Sequence, residues 1–390
     1  MISHCPVCAG TDHAQIFSAV SPVFFLVPVD KEIAAEDFHA LDVRGCRRCG
    51  HMFNGAFDDD LAARLYGDVP LTNVPVHPSM HKRFQDLMNW LPRETIDDRV
   101  VIEIGGGSGH LARLLAKFAA HVDVYEPCAN LTGDMLPEPN IKIIPRTFPN
   151  EEGRRDADLV VCRNVLEHVA DPIAMMRDIR ATLCDDGFAY LEVPDVRYII
   201  EHAAVPDIHL QHVQYFSRSN FIALARTAGM DAMKVLDIKD GHDFGVLFKA
   251  SQPVITDDFS MEFPEVVTLD RNLKSKTSRS RNEVARIEGK TALYGATPHG
   301  QVYFNSLAGS GEFTCVFDDS PMNAGYAFYD PRRKVPVRPA LKDDLLTHDA
   351  IIITAYLHDT AIASRLRGLG FSGAIYSTRP APTDDGVVQI

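Results

Sequence analysis

The chain has 390 residues, of which 46% are hydrophobic and 24% charged, a composition typical of a folded globular protein with two or three domains. Its 53 acidic and 39 basic residues give a net charge of −14, which argues against nucleic acid or an anionic membrane as the main partner. No apolar run approaches the roughly 20 residues of a membrane-spanning helix, and the N-terminus lacks a secretory signal pattern. We therefore expect a cytoplasmic protein.

Four of the eight cysteines form two Cys-x-x-Cys pairs near the N-terminus: Cys5, Cys8, Cys46 and Cys49. Disulfides do not persist in a reducing cytoplasm, so a structural Zn²⁺ held by four thiolates explains these pairs better. A redox role is less favoured, because neither pair lies at the strand-to-helix junction of a thioredoxin-like unit. The pattern predicts a zinc ribbon over residues 1–60. A metal with four thiolate ligands has no open position, so it should stabilise this module and do no chemistry.

A strand over Val100–Ile104, a glycine-rich turn and a helix from His110 are predicted next. A second strand, Val122–Tyr125, is followed directly by Glu126. An acidic residue at that position can accept hydrogen bonds from two ribose hydroxyls, while glycines let an adenosine ligand lie against the backbone. The turn matches Glu-x-Gly-x-Gly-x-Gly at Glu103, Gly105, Gly107 and Gly109. This spacing fits an NAD-binding Gly-x-Gly-x-x-Gly turn less well.

A third feature is a buried-looking strand, Asp158–Asn164, followed by Val-Leu-Glu-His-Val, a helix over 173–183, a turn at Asp185–Gly187 and a strand over 188–193. Together, residues 98–235 resemble class I methyltransferases that use S-adenosylmethionine (SAM). The resemblance implies a Rossmann-like fold in which the three glycines contact the amino acid part of SAM and Glu126 contacts the ribose. It also places Thr147 or Phe148 near the adenine and Arg163 or Asn164 near the methionyl end.

A histidine-rich stretch follows the fifth strand of this domain, with His202, His209 and His212. Three hypotheses are open for it. The histidines could bind a metal, they could belong to a solvated loop, or one of them could act as a general base, for which imidazole is suited.

The whole chain also resembles sugar C-methyltransferases that act on nucleotide-linked 4-keto-deoxysugars. These share the order of a four-cysteine zinc module, a SAM-binding domain and a second Rossmann-like domain. Their acceptor signature, Tyr-His-Glu-His-x-x-Tyr-Phe-Ser, has its last histidine and second tyrosine at His212 and Tyr215. The resemblance implies that His212 removes the proton beside the ketone, that the enolate attacks the methyl group, and that His168 and Tyr215 are neighbours of the base.

The signature is altered at its first three positions, which are His209, Leu210 and Gln211 in this chain. A neutral amide at Gln211 replaces a carboxylate, which should weaken a nearby basic histidine. O- or N-methylation, or a SAM-binding scaffold without catalysis, therefore stay open as alternatives.

The C-terminal third begins with a linker and helix over 251–290, whose basic run Arg271–Arg281 either binds phosphate or forms a solvated helix face. A second Rossmann-like α/β domain is predicted over 291–390. It has a strand at Thr291–Tyr294, a turn from Gly295 to Gly300, a helix from Gln301, and strands over 313–317 and 350–354. The turn, together with His299, either binds the nucleotide's diphosphate or sugar, or the domain only buries the cleft.

The sequence thus predicts an α/β protein with the zinc module, a helical connection over 61–97 and a SAM-binding domain over 98–250, before the linker and the C-terminal domain. In the connection, Tyr66 is either the tyrosine that the family supplies to the acceptor or a hydrophobic anchor. The expected cofactors are SAM and structural Zn²⁺, and the expected partner is a small molecule, a nucleotide-linked sugar.

Overall fold

The computed structural model describes residues 1–66, 78–127, 131, 133–148, 153, 155–255, 263–307, 309–379 and 387–390. The chain divides into two units. The first comprises Met1–Ala14, Arg44–Val196 and Val213–Phe263, and the second comprises Gln15–Val43, Arg197–His212 and Pro264–Ile390. Each unit therefore combines segments that are distant in the sequence.

The strands are β1 (His13–Pro22), β2 (Val27–Pro28), β3 (Phe38–Cys46), β4 (Met52–Asn54), β5 (Val100–Ile104), β6 (His121–Tyr125), β7 (Ile141–Ile144), β8 (Ala157–Arg163), β9 (Leu183–Pro194), β10 (Gln214–Tyr215), β11 (Met230–Ile238), β12 (Asp243–Ala250), β13 (Thr291–Tyr294), β14 (Phe313–Asp318), β15 (Tyr326–Tyr329), β16 (Lys334–Pro339), β17 (Ala350–Ile353), β18 (Ala374–Ser377) and β19 (Val388–Gln389). The α-helices are α1 (Asp59–Tyr66), α2 (Pro78–Trp90), α3 (His110–Leu115), α4 (Pro172–Thr182), α5 (Val196–His202), α6 (Arg218–Thr227), α7 (Phe263–Val284), α8 (Pro298–Leu307), α9 (Lys342–Leu345) and α10 (Asp359–Gly368).

A seven-stranded sheet forms the centre of the first unit, in the order β11-β12-β9-β8-β5-β6-β7. Strands β5, β6, β7, β8 and β9 are parallel, whereas β12 is antiparallel to both β9 and β11. Apolar side chains on both faces of β5 are buried, Val101 with Leu111 of α3 and Ile102 with Met176 of α4. A strand covered on both faces explains the nearly continuous apolar run at this point of the sequence.

The predicted strands of this sheet are confirmed to within a few residues, but the turn predicted at Asp185–Gly187 is wrong. These residues lie inside β9, at a point where the pairing with β8 is irregular. Ala157 is opposite Leu183, and Leu159 is opposite Phe188. Between these two pairs, β9 has four residues and β8 has one. The glycine and the two aspartates therefore form a bulge and do not end the strand.

An eight-stranded sheet lies in the second unit, in the order β19-β18-β17-β13-β14-β16-β15-β2. The five strands β18, β17, β13, β14 and β16 are parallel, and Leu293, Val316 and Ile352 belong to the core that they form with Phe304 of α8. The helix predicted from Gln301 begins three residues earlier, at Pro298. A proline is favourable at the first turn of a helix because the amide hydrogen that it lacks would have no partner there.

Strand β2 is an unexpected member of this sheet, because it comes from the segment between the two cysteine pairs. Val27 and Pro28 pair antiparallel with Ala327 and Tyr326 of β15. Tyr329 of β15 also donates its hydroxyl to the carbonyl oxygen of Asp37, at 3.2 Å. Residues 15–43 are thus part of the second unit. Over the described part of the chain, no helix combines the length and the apolar character needed to span a membrane.

Candidate functional site

The glycine turn follows β5 at the carboxyl end of the parallel strands, where open α/β sheets bind their ligands. Gly105, Gly107 and Gly109 have φ angles of 72°, 54° and 71°, a conformation that side chains disfavour. A Cβ on Gly105 would lie 2.5 Å from Val165 Cγ2, whereas one on Gly107 would meet nothing within 4 Å. Gly105 is therefore required for packing, and Gly107 leaves open space beside the turn.

Glu126 follows β6 directly and reaches back to this turn. Its carboxylate accepts a hydrogen bond from the Gly107 backbone N–H at 2.8 Å, and the residue is 7% exposed. Thr147 and Phe148, the two residues predicted near the adenine, follow β7 and differ in their burial. Phe148 packs edge-on against Tyr125, with 5.2 Å between ring centroids, whereas Thr147 is exposed. Glu126 and Phe148 thus lie at the carboxyl edge of the first unit's sheet, as the predicted cofactor turn does.

Glu103 is buried at the end of β5, and burial raises the pKa of its carboxyl to about 8. Glu126 adds to this increase, while the Arg163 guanidinium opposes it. Arg163 itself makes two hydrogen bonds of 2.9 Å to the carboxylate of Glu192, a residue that the sequence analysis did not single out. Glu192 also accepts from the Asn164 backbone N–H through its carbonyl oxygen, at 2.9 Å. Arg163 and Asn164 are thus fixed by a buried partner on the next strand.

Glu167 is a second buried carboxyl that sequence reasoning missed, although it lies in the Leu-Glu-His segment after β8. It is 1% exposed, and burial raises its pKa to about 8, opposed by a hydrogen bond from the Asn164 side chain. The predicted acceptor-site residue His168 follows it, with 3.9 Å between His168 Nε2 and Glu167 Oε1. The motif's glutamate was visible in the sequence, but its burial was not.

The four cysteines of the two Cys-x-x-Cys pairs form one cluster in the first unit. Sulfur atoms are 3.5 Å apart in the Cys5–Cys49 and Cys8–Cys46 pairs, and all four lie within 4.8 Å of one another. Tetrahedral Zn²⁺ with bonds of about 2.3 Å to sulfur requires sulfur separations of roughly 3.8 Å. The cluster therefore fits the zinc ligand set that the sequence predicted.

Three acceptor-signature residues, His209, Gln211 and His212, lie in the second unit. The rings of His209 and His212 are 3.9 Å apart, and His209 also packs edge-on against Phe25. His212 is 8% exposed, and its Nδ1 lies 3.0 Å from the carbonyl oxygen of Asp207. Gln211 is half-buried.

His202 is separate from this pair. Its ring stacks on Tyr198, and its Nδ1 lies 3.0 Å from the Tyr198 carbonyl oxygen. Among the residues that the structure describes, no potential metal cluster contains His202, His209 and His212 together. The three-histidine metal hypothesis is therefore not supported by the geometry.

The other predicted acceptor residues belong to the first unit. Tyr215 is in β10, which pairs antiparallel with β4, and is 2% exposed. Tyr66 is the last residue of α1, and its side chain lies outside the described residues.

His299 makes a contact that the sequence could not reveal, because its partner is about 90 residues away in the chain. Its Nε2 lies 3.0 Å from Oδ1 of Asp207, and the Tyr356 hydroxyl donates to Oδ2 of the same carboxylate at 2.9 Å. Asp207 was not identified from the sequence, since a single aspartate there belongs to no recognisable motif.

Comparison with known proteins identifies the kind of domain to which the glycine turn belongs. Residues 79–235 match the model of a family described as a methyltransferase domain. The C-methyltransferase NovU of Streptomyces niveus is 24% identical over 246 residues, which are 61% of this chain and 57% of that protein. The chain thus spans little more than half the length of this curated relative.

Two solved structures are similar over less than half of the chain. A putative SAM-dependent methyltransferase of Listeria monocytogenes is 12% identical, with 45% of this chain and all of that one covered and a TM-score of 0.36. The N-methyltransferase NodS of Bradyrhizobium japonicum, solved with S-adenosyl-L-homocysteine, is 13% identical, with 47% and 91% covered and a TM-score of 0.36. From the family match and the strand order, residues 79–235 form a class I, SAM-dependent methyltransferase domain. The sequence predicted a domain of this class, with the bounds 98–250.

Proposed function

We propose that the chain, built around this methyltransferase domain, transfers a methyl group from SAM to a carbon atom of a nucleotide-linked keto-deoxysugar. The similarity to a C-methyltransferase and the sequence resemblance to the sugar-methylating family support the carbon acceptor. The observation that carries the proposal is the hydrogen bond between His212 and the Asp207 carbonyl oxygen. This bond decides which ring nitrogen of His212, the residue proposed as the base, carries the proton.

The residues at the glycine turn fit SAM. Gly107 leaves open space beside the backbone, and the Glu126 carboxylate next to it offers acceptors for ribose hydroxyls. Gly105 and Gly109 would keep the turn in its conformation. Glu103, Arg163 and Asn164 would lie near the methionyl end of SAM. Thr147 or Phe148 would lie near the adenine. Bound SAM supplies a methyl group on a positively charged sulfur, which becomes a neutral thioether when the methyl leaves.

His212 is proposed as the general base. A carbonyl oxygen can only accept a hydrogen bond, so His212 Nδ1 must donate to Asp207 O, and Nε2 of the neutral ring carries the lone pair. Nε2 then takes the proton from the carbon beside the ketone, and the electron pair of that C–H bond forms an enolate. With SAM bound, the enolate carbon would accept the methyl group, and the electron pair of the carbon–sulfur bond would stay on sulfur. A ketone is needed because an unactivated C–H bond is too weakly acidic for imidazole.

The remaining acceptor-side roles come from the family resemblance. They fall on His168 and Tyr215, on His209 and Gln211 at the altered signature positions, and on Tyr66. Since Gln211 is neutral where the family has a glutamate, its hydrogen bonding would have to replace an electrostatic contribution. O- or N-methylation of a related nucleotide sugar is the alternative that this substitution favours.

The reaction can be tested by proton NMR in D₂O with SAM and a dTDP-linked 4-keto-2,6-dideoxyhexose. We expect exchange of the proton on the carbon beside the ketone and a new methyl signal on that carbon. Both should be lost in His212→Ala. His202→Ala is the matched control, since the His202 ring stacks on Tyr198 in the same segment and should leave both signals unchanged. A new methyl group on oxygen or nitrogen, without exchange of a carbon-bound proton, would contradict the carbon acceptor.

We further propose that the four cysteines hold one structural Zn²⁺. Protein purified without chelator should contain about one zinc per chain, since the sulfur cluster matches the tetrahedral ligand set. Cys46→Ser should lose the metal and lower the unfolding temperature, because zinc binding stabilises the folded module. Cys184→Ser, in β9 and outside the cluster, is the matched control and should keep the metal. Metal analysis that finds much less than one zinc per chain would refute the assignment.

A further inference from the structure

Asp207 of the second unit offers three oxygen atoms to three different side chains. Its carbonyl oxygen lies 3.0 Å from His212 Nδ1, its Oδ1 lies 3.0 Å from His299 Nε2, and its Oδ2 accepts from the Tyr356 hydroxyl at 2.9 Å. The residue is 1% exposed, so these hydrogen bonds form away from bulk water. A buried carboxylate that lost such partners would carry a large desolvation cost.

The partners of Asp207 come from separate segments of the second unit. Asp207 ends a short 3₁₀ helix, Val205–Asp207, His299 lies in the first turn of α8, and Tyr356 begins a 3₁₀ helix that follows β17. The rings of His299 and Tyr356 pack on each other, with centroids 5.3 Å apart and planes inclined by 34°. Two residues from helical turns that follow strands of the C-terminal sheet therefore hold the two oxygens of one carboxylate.

The direction of these hydrogen bonds is fixed by their chemistry. A carbonyl oxygen and a carboxylate oxygen can only accept, so His212 carries its proton on Nδ1 and His299 carries one on Nε2. The position of the Asp207 backbone decides which tautomer His212 adopts, and the Asp207 side chain is held by His299 and Tyr356. His299 and Tyr356 can thus influence His212 through Asp207, which is hydrogen-bonded to each of them.

We propose that Asp207 is a positioning residue that, held by His299 and Tyr356, fixes His212 in the tautomer protonated on Nδ1. This inference rests on the proposed function in one respect, namely that the lone pair on Nε2 is the one that takes the substrate proton. It gives the C-terminal part of the chain a role in catalysis that requires no direct contact with the nucleotide.

Asp207→Asn tests this clamp, by which we mean Asp207 together with His299 and Tyr356, which hold its carboxylate. His299 and Tyr356 each bond to a different carboxylate oxygen of Asp207, and in asparagine one of these two positions becomes an NH₂ donor that cannot accept. The backbone carbonyl oxygen toward His212 is chemically unchanged. Long-range ¹H–¹⁵N NMR of histidine rings in the full chain should show His212 as the Nδ1–H tautomer in the wild type and as a mixture in Asp207→Asn. The same variant should lower kcat for methyl transfer by about tenfold with little change in KM for SAM.

Two variants complete the experiment. Tyr356→Phe removes only one hydrogen bond and should shift His212 in the same direction by a smaller amount; it also carries the test if Asp207→Asn fails to fold. Asp319→Asn is the matched control, because Asp319 accepts from the Tyr294 hydroxyl at 2.9 Å in the same unit. It should leave the His212 signals and kcat unchanged.

The proposal is overturned if His212 in the wild type is protonated on Nε2, or if its signals and kcat are the same in both clamp variants as in the wild type. A shifted tautomer with unchanged kcat would overturn the catalytic role. If the wild type methylates no keto sugar, the proposed function fails, and the tautomer measurement on the protein alone still decides whether Asp207 positions His212.

Discussion

Two glycine turns in this protein have the same backbone design but differ in the space around them. Each follows the first of the parallel strands in its sheet. The first glycine of each turn donates its N–H to a backbone carbonyl oxygen near the end of the next strand, Gly105 to Tyr125 and Gly295 to Phe317, both at 2.8 Å. In each turn an acidic residue at the end of that next strand accepts from a turn N–H. The bond to Glu126 comes from Gly107, at 2.8 Å.

In the second unit the corresponding bond runs from the Ala296 N–H to Asp318, at 2.7 Å. Asp318 also accepts from the Ser320 N–H and the Asn323 side chain, so protein groups surround its carboxylate. A Cβ on Gly300 would lie 2.6 Å from the Gly295 carbonyl oxygen and 2.8 Å from Phe328. The second turn is thus packed by the protein itself, whereas the first has open space at Gly107.

This difference shows that a glycine turn with an acidic partner is compatible with either ligand binding or close packing. In the first unit, the missing side chain of Gly107 leaves open space beside the turn. In the second unit, the missing side chain of Gly300 lets a helix pack closely against two strands. Packing within the protein accounts for the contacts around Gly300 without a ligand.

The largest effect is expected for Gly300→Ala, which would place a methyl group against the backbone of the second turn. We expect a loss of about 3 kcal/mol in the free energy of unfolding, because neighbouring backbone must move, with SAM affinity unchanged. Urea denaturation measures the first quantity and calorimetric titration the second. Gly368→Ala is the matched control: this glycine is also in a helix, but a Cβ there would meet nothing within 4 Å. Equal stability of the two variants would contradict the packed turn.

An intermediate effect is expected for Gly107→Ala, where the methyl group would enter open space. The left-handed backbone costs about 1 kcal/mol of stability, and SAM affinity should fall by about 30-fold if the cofactor lies against this turn. Gly325→Ala controls for backbone strain, since Gly325 has a φ of 86° and equally open surroundings in the second unit. Unchanged SAM affinity in Gly107→Ala would show that the ligand does not occupy this space.

The smallest effect is expected from pH. Because burial raises the pKa of Glu103 to about 8, this carboxyl is mostly protonated at pH 7 in the absence of cofactor. The positive charges of SAM favour the carboxylate, so binding should release a proton and affinity should rise by up to about tenfold from pH 7 to pH 9. Titrations at several pH values test this, and Glu103→Gln should remove the dependence. An affinity that falls over this range would contradict the predicted sign.

The sequence predicted the first unit's glycine turn and the strands on either side of it well, because their signals are local. Val100–Ile104 is a nearly continuous apolar run that ends at Gly105, and Glu126 follows the next strand at once, so both could be located before any long-range contact was known. The bulge in β9 could not be predicted, because Asp185–Gly187 has the composition of a turn and only its pairing with β8 keeps it in the strand. Helix α8 began earlier than predicted, since Pro298 was interpreted as part of the turn.

The sequence by itself thus determined the methyltransferase domain and the four cysteines, because each depends on residue types at short, fixed spacings. The tertiary structure decided which distant residues meet. It joined β2 to a sheet whose other strands lie about 300 residues later, brought two cysteine pairs within 4.8 Å, and surrounded Asp207 with His212, His299 and Tyr356. Such contacts depend on how the apolar faces of each unit pack, and a single aspartate outside any motif has no local pattern that indicates its partners.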